Sequence, residues 1–230
     1  MRWLTDTLTL YAQVFRRGAV LALRNWGVGF LVVVYVGVLS LVAVLVAPLG
    51  IVGGFLVYLA LVACVSSWLA LAGEVIRTGR VKLADVPASF GAYLNDLLVV
   101  GFIVWGLQLI GGILAAVAPF VAIVFGLATA VFLNAVPELI YLGRRAPAEL
   151  LVESYRFIGE NWIEWFPANV LLFGTVLAAQ AILPAGPFGL LGAAGVGLVL
   201  YFATIVRGLL FLELAGSTRR SREFRRRVAR

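Results

Sequence analysis

ELIYLGRRAPAELLVESYRFIGENWIEW, residues 138–165, is the stretch whose reading decides the fold. At about 100° per residue, Tyr155, Ile158, Trp162 and Trp165 fall within roughly 40° of Leu151, while Glu149, Glu153, Arg156, Glu160 and Glu164 fall opposite. The pattern predicts an amphipathic helix, and the apolar runs on either side are long enough to cross a bilayer. The expectation is a helix from Ala148 to Trp165 lying in the interface between water and lipid. It should turn sharply near Phe166 into a span that carries Pro167 in its first turn.

Outward from this junction the chain is apolar almost throughout. Of 230 residues 63% are apolar and 13% charged, with mean hydropathy +1.07, far from the roughly half apolar and one quarter charged of soluble domains. Six runs read as spans: Gly27 to Pro48, Ile51 to Ala72, Leu97 to Pro119, Val121 to Leu142, Pro167 to Leu183 and Phe188 to Leu214. Each is near the roughly 20 residues a helix needs to cross about 30 Å of hydrocarbon. The turns APLG (47–50), APF (118–120) and LPAGPFG (183–189) carry no charge, so all 29 charged residues fall on one side. Lys and Arg set orientation, so that side, with both termini, reads as the cytoplasmic face of the inner membrane. The first apolar run is too long for the h-region of a secretory signal, about 7 to 15 residues, so the start reads as retained. Within it Leu4, Leu8, Tyr11, Phe15 and Ala22 share one helical face, with Arg2, Asp6, Gln13, Arg17 and Arg24 opposite, which predicts a second interfacial helix.

The layout implies an all-α polytopic membrane protein built as a threefold internal repeat, each unit an interfacial amphipathic helix followed by a hairpin of two spans. The units cover about 1–80, 81–144 and 145–218 of a single membrane domain, followed by a basic cytoplasmic tail at 219–230. Asn25, Asn95 and Asn161 precede the first, third and fifth spans; Glu74, Glu138 and Glu213 close the second, fourth and sixth. In GEVIRTGR (73–80), PELIYLGR (137–144) and the ENW at 160–162 the chain resembles small six-helix bacterial membrane families of unknown function, similar to the membrane domain attached to some glycerophosphodiester phosphodiesterases. That resemblance implies an integral membrane protein, and it carries no catalytic residues across because no phosphodiesterase domain is present.

Chemistry is sparse. The chain has no histidine, a single cysteine (Cys64), and no GxSxG, HExxH or Walker loop, so neither a metal nor another cofactor is expected and an enzyme is the weakest class. A carboxylate at a helix C-terminus meets the negative end of the macrodipole, so Glu74, Glu138 and Glu213 need compensation. Arg77, Arg80, Arg144 and Arg219 stand close enough in sequence to pair with them as elbows, the alternative being a ring of carboxylates at the cytoplasmic mouth that binds a cation or proton. Arg207, set in ATIVRGLLFLEL, is the innermost charge. It either snorkels to the headgroups, pairs with Glu138 or Glu74 across the bundle, or holds an anionic headgroup. Gln108, Asn134 and Gln180 are amides inside spans, as interhelical hydrogen bonds or as a substrate path. Asn134 with Pro137 predicts a kink before Glu138. Seven Arg in the tail should adsorb to anionic headgroups, and nothing resembles a nucleic-acid reading module. Two functions fit: transport or handling of a lipid or other amphiphile, and a membrane scaffold or accessory subunit recruiting partners through its cytoplasmic collar. Partners would be membrane lipids, a second copy, or a larger membrane complex.

Overall fold

The computed structural model describes residues 2–143, 147–182 and 189–216; among them the backbone is helical, turn or irregular, with no strand. Hydrocarbon offers the backbone no hydrogen-bond partner, and an apolar chain answers by bonding to itself within helices. The helices are α1 (Arg2–Arg24), α2 (Leu31–Val46), α3 (Ile51–Thr78), α4 (Val86–Ser89), α5 (Leu94–Val117), α6 (Pro119–Phe132), α7 (Val136–Leu142), α8 (Pro147–Ile182) and α9 (Gly189–Ala215). Six helical segments are long and apolar enough to cross a membrane: 26–49, 51–78, 86–117, 119–142, 149–182 and 189–215. The molecule is read accordingly as a multi-pass membrane protein. Arg144, Arg219, most of the turn at 183–189 and the tail at 219–230 lie outside the described residues.

α9 is the hub, touching α1, α2, α3, α7 and α8. Its glycines permit this. A Cβ on Gly197 would sit 2.5 Å from the Gly29 carbonyl oxygen and 3.0 Å from Val32 Cβ, so α9 meets the turn leading into α2 nearly backbone to backbone. Gly197→Val should cost about 1–3 kcal/mol through overpacking. Thermal unfolding in micelles reads the change, and a variant as stable as the parent would mean that the two segments do not touch.

Packing is graded along the helices. The buried side chains concentrate on Val62–Ile76 of α3, on α7, on Leu150–Leu172 of α8 and on Tyr201–Leu214 of α9, with Leu10 and Val14 of α1 against them. At the opposite ends Ile51 (94% exposed), Val117 (80%) and Ile182 (80%) are uncovered, and α6 buries no residue. Such surface would collapse in water; in a bilayer, acyl chains cover it as well as leucine does. A hydroxyl chain stiffens the packed half: Tyr35 Oη lies 2.7 Å from Ser67 Oγ, which lies 2.6 Å from Ser89 Oγ, and the Tyr93 N–H donates to Ser66 Oγ at 2.8 Å.

Two expectations about residues 138–165 are corrected. α8 runs unbroken through Phe166, 36 residues or about 54 Å, with Pro167 inside it. No helix break separates an interfacial segment from the span there, because proline removes only one backbone bond and neighbouring helices hold the rest in place. The aromatic stripe, expected to face lipid as a whole, is also split. Ser154, Phe157, Ile158, Asn161, Trp165, Ala168 and Leu172 turn inward with Glu164, while Tyr155 and Trp162 are each 57% exposed. Contact with α9 decides this, Phe157 packing 4.8 Å from Phe211. α1 is likewise turned, burying Thr7, Leu10 and Val14 and leaving Leu8 exposed. Burial pushes the Tyr11 phenol up in pKa, and it donates to the Glu164 carbonyl at 2.6 Å, tying α1 to α8.

The three asparagines at equivalent sequence positions have unlike surroundings. Asn25 clamps the end of α3, donating to the Gly79 carbonyl (3.1 Å) and accepting from the Val81 N–H (3.1 Å). Asn161 donates within its own helix to the Phe157 carbonyl, and Asn95 is exposed.

Candidate functional site

The site begins with a broken helix. Pro137 has no N–H for the carbonyl four residues back, and the span 119–142 is interrupted at Leu133–Ala135, ending α6 and starting α7 with Pro137 in its first turn. The kink read from Asn134 and Pro137 is present as this full break. It frees carbonyls at the end of α6 that need donors. Ser154 of α8 supplies the Phe132 carbonyl at 2.6 Å, and Arg207 of α9 supplies the Asn134 carbonyl at 2.8 Å.

The break also reverses the electrostatics expected of Glu138. Instead of closing a span it stands in the first turn of α7, where the helix dipole favours a carboxylate, and a cation faces the end of α6. Arg207 grips it with both fork positions, Nε to Oε1 at 2.7 Å and Nη2 to Oε2 at 2.9 Å. Glu138 is 2% exposed and Arg207 23%. The Trp165 ring lies 5.3 Å from the guanidinium carbon, and its indole N–H donates to Asn134 Oδ1 at 2.9 Å. Three helices and a turn therefore converge on one cation: the break between α6 and α7 through Asn134, α7 through Glu138, α8 through Trp165 and α9 through Arg207 itself. At 1.5 Å per residue Arg207 lies about 27 Å along α9 from Gly189, near the far edge of about 30 Å of hydrocarbon.

A guanidinium has five donors. Three are used here, and the two on Nη1 have no hydrogen-bond partner among the described residues. The arrangement can take up one further acceptor oxygen while keeping Glu138 neutralised.

Of the residues singled out in the sequence, the structure brings Glu138, Arg207 and Asn134 together and leaves the others apart. Glu74 and Glu213 lie about 35 Å and 36 Å from the starts of their helices, beyond the pair, and Glu213 is exposed. Among the described residues no three carboxylates are grouped so as to hold a metal ion. Arg77 donates to the Tyr141 carbonyl and not to Glu74. Gln108 and Gln180 are both exposed, and neither makes a hydrogen bond with a described residue. Trp165, Ser154 and Tyr141 were not among the sequence candidates for a site. Tyr141, wholly buried, donates to the Thr204 carbonyl at 3.3 Å and so binds α7 to α9. The signal for Ser154 was available as the one small hydroxyl on an otherwise bulky helix face.

No protein-family model, curated protein or solved structure matches the chain.

Proposed function

We propose that the protein is a non-enzymatic inner-membrane component that handles a lipid or other amphiphile, with Arg207 as the contact for a headgroup oxygen. The observation that carries this reading is the part-exposed Arg207 side chain, whose two Nη1 donors are uncommitted, about 27 Å along α9 from Gly189. Helices that are tightly packed around it and uncovered farther along supply the rest: acyl chains can reach between them while the polar end is closed. The proposal includes three hairpins repeated along the chain, as in the membrane domains the sequence resembles, with both termini cytoplasmic. Intramembrane ionisable groups, costly to keep, are by default functional.

Native mass spectrometry of the chain in nanodiscs made from total polar lipid tests the idea. The parent should retain lipid of a restricted headgroup class. Arg207→Lys keeps the charge but loses the fork, and the loss of one charge-assisted hydrogen bond, about 1.5–3 kcal/mol, should weaken retention at least about tenfold. Retained lipid that mirrors the bulk composition, from a folded protein, would overturn the reading. A second reading, an accessory subunit, is favoured by the exposed cations Arg16, Arg17, Arg24 and Arg80 at the charged end. It would gain if a protein were retained there in stoichiometric amount in place of lipid.

A further inference from the structure

We propose that two copies of the chain associate through the exposed face of α5, their Gln108 side chains hydrogen-bonded to each other at mid-membrane. Gln108 is eleven residues from Leu97 and eleven from Pro119, the two ends of its apolar run. That places it about 16 Å from either boundary, as far from water as a residue in this span can be. Yet it is exposed on the surface of the monomer and makes no hydrogen bond with a described residue. An acyl chain offers an amide neither donor nor acceptor, so lipid is the wrong neighbour for this one position. Gln180 differs: it lies two residues from the end of α8 at Ile182, where water comes close.

The surface around Gln108 is shaped for a helix. Gly112 and Ala116 follow it at four-residue intervals and are exposed with it, and a Cβ on Gly112 would meet nothing within 4 Å. Trp105 (53% exposed) and Leu109 (50%) form the neighbouring row on one side of them, so the five positions occupy an arc of about 100°. Small residues let two backbones approach, and the Trp105 and Leu109 side chains add apolar area along one side of the contact. The occupant follows from the chemistry of the amide. It is both donor and acceptor, and a twofold axis sets like residues opposite each other, so a second copy presents the matching group at the matching depth. This surface is separate from Arg207 and does not depend on lipid handling there.

The test uses the full chain in phosphatidylcholine–phosphatidylglycerol vesicles with Cys64→Ser as background. Oxidation of Ala116→Cys should give a disulfide-linked dimer, and Leu107→Cys, on the covered side of α5, should not. Labelled chains in a lipid-dilution series should dimerise at least tenfold more weakly as Gln108→Leu, an apolar change on an exposed site that leaves folding intact. Equal dimerisation by Gln108→Leu, cross-linking at Leu107→Cys as strong as at Ala116→Cys, or a monomer at every dilution would each overturn the proposal. So would phospholipid bound to a monomer and lost on Gln108→Leu.

Discussion

Exchange of Arg207 for leucine should destabilise the protein by about 3–5 kcal/mol, the range found when one partner of a buried ion pair is removed. The cost arises from what remains. Glu138, 2% exposed, would keep its carboxylate without a counter-charge, and the Asn134 carbonyl would lose its donor at a helix end that has no intrahelical replacement. The net value of the pair is a different quantity, so Arg207→Leu combined with Glu138→Leu should recover much of the loss, since two apolar side chains fill similar volume without a charge to desolvate. Unfolding midpoints in a fixed detergent, followed by tryptophan fluorescence, give both numbers. If the single variant melts within about 1 kcal/mol of the parent, the pair is not buried in the way described.

Trp165→Ala should rival it, at about 3–5 kcal/mol, the usual cost of truncating a buried large aromatic. Trp165 has no exposed surface, packs edge-on against Phe157 at 5.1 Å, and holds Asn134 Oδ1. Trp165→Phe, which keeps most of the volume and loses the indole N–H, should cost about 1 kcal/mol. The control lies three residues earlier: Trp162, 57% exposed, should tolerate alanine to within about 0.5 kcal/mol. Both tryptophans read alike from the helical wheel. Equal losses at the two positions would show that α8 is rotated from the orientation described.

That pair of tryptophans marks where the sequence stops informing. The helical class and the six membrane-crossing segments follow from composition alone, because an apolar chain in hydrocarbon has to bond its backbone within helices and cross in lengths near 20 residues. The interruption near Asn134 was equally legible, since a proline acts on its own helix without reference to a partner. Arg207 and Glu138 were visible as charges in the wrong solvent, with each other among the partners available. Which faces turn inward was not legible. In a soluble protein, polarity distinguishes core from surface; here lipid and core are both apolar, and the side-chain pattern loses that contrast. Gln108 reads as interior because it is polar, yet it is exposed; Trp162 and Trp165 read as one face and are split by packing against α9. Helix rotation, the continuity of α8 through Pro167 and the meeting of the α6–α7 break, α7, α8 and α9 at Arg207 are set by tertiary contacts. Only shape complementarity between neighbouring helices discriminates among orientations that hydrophobicity leaves nearly equal in energy.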